Sequence, residues 1–476
     1  MTTSQSGTAG TFTTGSIMRH VLVMTATGSI GLIAIFIVDA LNLFYISLLG
    51  QEELAAAIGF AGTLQFFVMS ISIGFTIATS ALVARALGRG ERATAAELGG
   101  ASLLFMVLTS LAVIVVVWPF LDQLVGLLGA RGNTRALAVH FLQIVIPSSV
   151  VMSVGMGASG ILRGVGDAKR AMYVTLVGGL AAAILDPLFI FGFDLGITGA
   201  AIANVLSRFV LAGVGLWGVI RIHRLIRMPD LKRAKMAMRP FLAIGLPAVL
   251  TQLATPVGNA YVTIEIAAFG DQAVAGWAII GRLVPVAFGA IFALSGAVGP
   301  IIGQNYGAKL YPRVTAVLRD SLVLTLIYVL VVWALLALSR NGIADLFGAT
   351  DEARALINFF CLFAAASFLF NGGLFVANAA FNNLGYATYS TLFNWGRSTL
   401  GVIPFVWLGA HWYGAVGVIA GWGLGAVIFG VASVIVCFRV LKQIEDRSDG
   451  DDRDRLPAPP PSAHSPFSTG KAATLG

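Results

Sequence analysis

The sequence predicts an all-α integral membrane protein: twelve transmembrane helices in two six-helix lobes related by a parallel internal repeat. Three observations carry that prediction. Of the 476 residues, 57% are hydrophobic and 11% charged, with a mean hydropathy of +0.88, whereas a soluble domain carries about 25% charged residues. The apolar residues fall into runs long enough to cross a hydrocarbon layer about 30 Å thick as helices. The chain also matches itself at a shift of roughly 218–220 residues.

A polar tail, 1–15, comes first; it lacks the basic start of a signal peptide, so the first helix is expected to be retained. The first run, 16–50, reads SIMRHVLVMTATGSIGLIAIFIVDALNLFYISLLG and holds one carboxylate, Asp39, past its middle. A charge at that depth costs at least about 2.5–3.5 kcal/mol, so an acid retained there reads as a functional site. Asn42 stands one turn further on, on the same face.

The second run, 54–85, ends in the basic loop RALGRGER. The third, 96–120, is expected to stop near Pro119. The fourth, 134–162, ends in RGVGDAKR, and the fifth, 171–192, contains Asp186-Pro187. Proline frees a backbone carbonyl one turn back and kinks the helix, and a protonated Asp186 could donate a hydrogen bond in that opened region. The sixth run is 197–221. The longest polar connection follows, RIHRLIRMPDLKRAKMAMRP, and then six further runs at 241–268, 272–305, 314–339, 353–381, 388–408 and 414–438. This divides the chain into an N-lobe (16–222), a linker (223–240), a C-lobe (241–440) and a tail (441–476). The tail mixes charge, Pro and Ser and is expected to be disordered.

An even number of spans puts both termini on one side. The loops after spans 2, 4, 6 and 8 hold most of the loop Lys and Arg, so that side and both termini are expected to be cytoplasmic. The formal net charge of +8 is accounted for by this topology, not by nucleic acid. Cys361 and Cys437 fall in spans, which excludes a disulfide framework, and the five histidines show no metal-ligand spacing. No phosphate loop, zinc spacing or nucleophile elbow points to an enzyme.

The repeat sets glycines over glycines: Gly50 over Gly270, Gly88 over Gly307, Gly166 over Gly385, Gly196 over Gly414 and Gly199 over Gly417. Six spans per half means that both halves insert with the same orientation. Two such bundles rocking about a central cavity make a transporter. Asp39 lies over Asn259, so the halves keep a polar position but only the first keeps the charge. That asymmetry points to an ion or proton site in the N-lobe.

With VDALNLFYISLLGQEELAAAIG, ALVARALGRGERA, ILRGVGDAKRAMY, DPLFIFGFDLGITGAAIANVLSR, GLPAVLTQLATPVGNAYV and GPIIGQNYGAK in view, residues 16–440 resemble the multidrug and toxic compound extrusion (MATE) transporters. The resemblance implies antiport of organic cations against protons or sodium. It assigns ion coupling to Asp39 and Asp186, the acids of the first and fifth helices, with Asn42 and Asn204 beside them. Asn204 holds a position often occupied by Thr, Ala182 stands where many members have a polar residue, and no acid occurs near Thr255. These departures are similar to the DinF-like branch, whose ion site lies in the N-lobe. No cofactor is implied beyond the coupling ion, H+ or Na+, with sodium at Asp39 and Asp186 as the metal alternative.

Tyr45, Phe66, Trp277, Phe288 and Trp395, with Asn259, are candidates to line the cavity, the aromatics by attraction to a flat cation. Glu265 is expected to snorkel to the interface, and Arg282 and Arg397 are candidates to pair with it. The expected partners are a small cationic substrate and the bilayer of the cytoplasmic membrane, with no nucleic acid, and the expected state is a monomer. Two other readings stay open. A lipid-linked saccharide flippase predicts a basic cavity, and a receptor or scaffold requires neither a duplicated bundle nor one-sided acids.

Overall fold

The computed structural model describes residues 10–47, 52–349 and 351–453, and the regular structure among them is helical throughout. The first half holds α1 (Ile17–Ser47), α2 (Glu52–Gly88), α3 (Arg92–Val117), α4 (Leu121–Leu127), α5 (Gly132–Val145), α6 (Ser149–Val165), α7 (Ala168–Pro187) and α8 (Gly196–Trp217). The second holds α9 (Leu231–Ala267), α10 (Asp271–Gly307), α11 (Tyr311–Leu346), α12 (Asp351–Leu362), α13 (Phe368–Leu384), α14 (Ala387–Ser398) and α15 (Ile403–Arg453).

Eleven stretches of the described chain are long and apolar enough to cross a membrane. The last, Ala387–Arg447, doubles back at Gly414, where φ is +61°. A Cβ on Gly417 would stand 1.9 Å from the carbonyl oxygen of Gly409, so the chain before and after the turn packs backbone to backbone. That fold-back makes twelve crossings. Pro119 does not stop the third span as expected. It sits in a 3₁₀ turn, Trp118–Phe120, which lets the chain continue into α4 although its amide is missing.

The internal repeat is visible in the backbone. Gly166 ends α6 at φ +96° and Gly385 ends α13 at φ +95°, a left-handed cap that glycine adopts without strain. Gly88 and Gly307 interlock across the lobes: a Cβ on the first would stand 2.1 Å from the Gln304 oxygen, and one on the second 2.2 Å from the Arg85 oxygen. Gly50 lies outside the described residues.

The buried residues show how the lobes meet. Towards the end of the bundle away from the basic loops, the core is two clusters, one within each lobe. Ile46, Leu54, Leu121, Leu142 and Ile190 belong to the first, and Val262, Ile280, Phe288, Phe360 and Trp422 to the second. Towards the basic end, Val21 and Met24 of α1 share one cluster with Leu294, Val298, Val317 and Phe381. Phe75 and Met106 likewise share one with Phe241 and Ile244.

The described stretch before α1, residues 10–16, is not a free tail. Phe12 is 2% exposed and lies in the seam between the lobes. Its N–H donates to Gln304 Oε1 at 2.8 Å, and its carbonyl accepts from Asn305 Nδ2 and Arg313 Nη2, each at 3.1 Å. On the other side Thr11 Oγ1 donates to the Val165 carbonyl at 3.0 Å, and Gln304 Nε2 donates to that of Gly164 at 2.7 Å.

Two domain boundaries shift. The linker is half helix: Asp230 caps α9 by accepting from the Arg233 N–H at 2.8 Å, so α9 begins within the basic run. Its remainder is bound to α3, the Arg227 N–H donating to the Ala96 carbonyl at 3.0 Å. The expected disorder from 441 is corrected over 441–453, which continues α15. Leu441 is buried, and Glu445 accepts from Thr315 Oγ1 at 3.1 Å. Residues 454–476 lie outside the described residues. The described parts of both termini thus sit at the basic end.

Candidate functional site

Asp186 is the most deeply buried described carboxylate, 1% exposed. It sits about 27 Å along α7 from the basic end at 1.5 Å per residue. Pro187 follows, and the chain widens into a π turn over Leu188–Gly192, where the Phe193 N–H reaches the Leu188 carbonyl at 3.0 Å. The kink expected from the sequence therefore takes the form of a widened turn beside the acid.

The α1 and α7 helices run in parallel, with Gly31 against Thr175 and Gly179 against Val38. That register brings Asn42 Nδ2 to donate to Asp186 Oδ2 at 3.0 Å. Among the described residues the other oxygen, Oδ1, is buried without a hydrogen-bond partner, and so is Asn204 Oδ1. Contacts of Gly178 with Leu211 and of Gly199 with Phe189 set Asp186 and Asn204 at the same depth on antiparallel α7 and α8. Two buried acceptors without donors are a standing cost of about 1–3 kcal/mol each. A proton on the carboxyl would supply a donor, and a hard cation would take both oxygens as ligands. Asp39 lies in α1 one turn before Asn42, but its side chain falls outside the described residues. Among the described residues no group of three or more His, Cys, Asp or Glu could hold a metal ion.

Tyr45 packs edge-on to Phe191 of the widened turn, with ring centres 6.4 Å apart, and Phe66 is 39% exposed on α2. The C-lobe candidates are anchored on α9. Trp277 Nε1 donates to Thr263 Oγ1 at 3.0 Å, Trp395 Nε1 to the Leu250 carbonyl at 3.0 Å, and Asn259 is exposed. Phe288 is a correction. It is fully buried and stacked on Phe368 with centres 4.0 Å apart, a filler of the C-lobe core rather than a cavity wall.

The pairing considered for Glu265 with Arg282 or Arg397 is also replaced. Among the described residues Glu265 makes no ion pair with either arginine, and buried Arg397 donates from Nη2 to Thr255 Oγ1 at 2.9 Å.

A family model described as MatE matches residues 29–188 and 247–408, one match in each half. The chain belongs to the MatE family. It is therefore a multi-pass membrane transporter, not an enzyme. This MatE chain is 27% identical over 440 residues to a protein described as an FAD transporter of Shewanella oneidensis, covering 90% of this chain and 96% of that relative. It is 25% identical over 407 residues to the multidrug export protein MepA of Staphylococcus aureus, covering 83% and 87%. The crystal structure of the Vibrio cholerae MATE transporter VcmN in the bent form superposes with a TM-score of 0.85 at 26% identity, over 90% of this chain and 97% of that one.

Sequence reasoning passed over one buried cation of this MatE chain. Arg208, one turn beyond Asn204, donates to the Val145 carbonyl at 3.0 Å, Ser148 Oγ at 2.9 Å and Gln65 Oε1 at 2.7 Å. A lone arginine inside an apolar span was the available signal. Its donors satisfy the carbonyl left free where Ile146–Ser148 breaks the helix between α5 and α6.

Proposed function

We propose that this chain exports small organic cations across the cytoplasmic membrane by alternating access, in exchange for protons or sodium. The observation that carries the reading is buried Asp186, held by Asn42 through one oxygen and left without a partner among the described residues at the other. It lies in a bundle whose lobes share a core at the basic end and keep separate cores at the other. With the basic end cytoplasmic, as the positive-inside rule implies, the lobes part towards the exterior. Asp39, one turn before Asn42, joins the site as its second acid. The placing of the acids in the N-lobe, with Asn204 and without an acid near Thr255, supports the DinF-like branch.

A buried carboxylate needs a positive partner, and a proton and a cationic cargo compete for it. Exchange of one proton for one monovalent cation moves no net charge and draws only on the pH difference, about 1.4 kcal/mol per unit. Drawing also on the membrane potential, about 2.3 kcal/mol per charge per 100 mV, needs a second inward charge. Asp186 is the group to carry it.

The test is export of a fluorescent cation from liposomes with pH difference, potential and sodium set independently. Asp39→Asn abolishes proton-driven export. Asp186→Asn slows it and makes transport of a monovalent cation insensitive to potential. Undiminished pH-driven export by Asp39→Asn would overturn the mechanism.

A second reading, export of an anionic flavin dinucleotide, draws on the FAD transporter relative and on Arg397. Among the described residues the Nε of that buried guanidinium has no partner, and its Nη2 bonds an exposed threonine on α9. Arginine suits phosphate. On this reading FAD is transported in the same liposomes and Arg397→Gln removes that activity while sparing the fluorescent cation.

A further inference from the structure

A cavity of about 520 Å³ opens at the basic end, away from the acids of the transport site. Its walls come from both lobes: α2 and α3 on one side, Pro229 and the start of α9 on the other. Three arginines line it. Arg85 is fixed in place, Nε donating to the Asn383 carbonyl at 2.8 Å and Nη2 to that of Asn382 at 2.7 Å. Arg89 pairs with Glu91 at 3.1 Å and stays half exposed, and Arg233 pairs with Glu97. Glu97, which also has Arg227 3.9 Å away, is the one acid in the lining, so the cavity keeps net positive charge.

Apart from Thr94, the rest of the lining is apolar, including Leu82, Leu98 and Pro240. Beside it the chain exposes large apolar side chains among its basic ones. Met228, Leu231 and Met236 are 69%, 74% and 69% exposed, interleaved with Lys232, Arg233 and Lys235. Apolar side chains between lysines and arginines at the edge of a membrane protein match a lipid surface, since hydrocarbon and anionic headgroup meet there. A free phosphate would use the arginines but not the apolar walls.

We propose that this cavity binds the phosphate headgroup of an anionic phospholipid, with its acyl chains along Leu82, Leu98 and Met236. The headgroup lies between Arg89, in the turn after α2, and Arg233 of α9 and offsets the like charges that the two lobes bring together. The site does not depend on the cargo or on the coupling ion.

Native mass spectrometry of the purified full chain, mixed with phosphatidylglycerol or with phosphatidylcholine, tests this. The expected result is one retained phosphatidylglycerol and no retained phosphatidylcholine. Arg89→Gln with Arg233→Gln should weaken retention about 25-fold, taking about fivefold per arginine. Arg89→Lys with Arg233→Lys should restore most of it, which separates charge from folding, and Arg131→Gln at the opposite end should change nothing. Equal retention of phosphatidylcholine, or unchanged retention by the Gln variant, would overturn the proposal. Displacement of the lipid by millimolar inorganic phosphate would also overturn it, by assigning the site to a soluble anion.

Discussion

Asn42 is the only described side chain that donates to Asp186, so the pair is a sensitive point of the N-lobe. Asn42→Ala leaves both carboxylate oxygens without a donor among the described residues, at about 1–3 kcal/mol. In the liposome assay at equal expression, Asn42→Ala should slow export clearly. Asn259→Ala, at the place in the repeat equivalent to Asp39, should be tolerated, because the Asn259 side chain is exposed and the bond made there, from Thr263 Oγ1, is to its backbone carbonyl. Equal loss in both variants would remove the asymmetry between the lobes. The acids were legible in the sequence because charge in an apolar run is conspicuous. Phe288 was not legible as core: an aromatic among apolar neighbours reads the same whether it stacks on Phe368 or faces a cavity. The unpartnered oxygens could not be read at all, since they depend on which side chains the helix register brings together.

At the level of the helix ends, Asp167 does several jobs at once. It caps α7 through the Arg170 N–H at 3.1 Å, pairs with the Arg170 guanidinium, and accepts from His223 Nε2 at 2.8 Å. Burial pushes its carboxyl up, but the bonds from His223 and Arg170 outweigh that and hold it below the usual carboxylate range. A depressed value in the folded state gives stability that is complete above the unfolded value, about 4, and is lost as pH falls below it. Thermal unfolding in detergent should therefore show Asp167→Asn less stable than the parent at pH 7, with the gap closing on acidification. The close approach of α2 and α10 is a second property of helix ends. Gly88→Val would put a side chain where the Gln304 carbonyl stands, so the basic ends must move apart. Spin labels at Glu91→Cys and Lys309→Cys should show a larger population at long separation; both natural cysteines are buried and should not compete for label. Most helices were legible because each apolar run exceeds a membrane's thickness. The start of α9 was not, because a run of seven Lys and Arg over 221–239 reads as a loop until the Asp230 cap is seen.

For the molecule as a whole, the apolar runs carried the twelve-span count and the repeat the pairing of lobes, since glycines recur in order at a shift of roughly 218–220 residues. The strap around Phe12 gave no such signal. It is a short polar stretch with one aromatic, and its partners Gln304 and Asn305 lie far along the chain. Phe12→Ala should raise the long-separation population of the same spin-label pair, as Gly88→Val does, without loss of folded protein. An unchanged distribution would show that the strap follows the seam rather than holding it. Removing residues 454–476 should leave transport intact. Cutting at 441 also removes Leu441, Ile444 and Glu445 from the basic-end core and should not. The strap also bears on how the protein is handled at the bench. A purification handle or fluorescent fusion set directly before Gly10 would press on a place where both halves are clasped, and would bias the very equilibrium it was added to report. The same handle appended after Gly476 stands more than twenty residues beyond the last packed turn of α15.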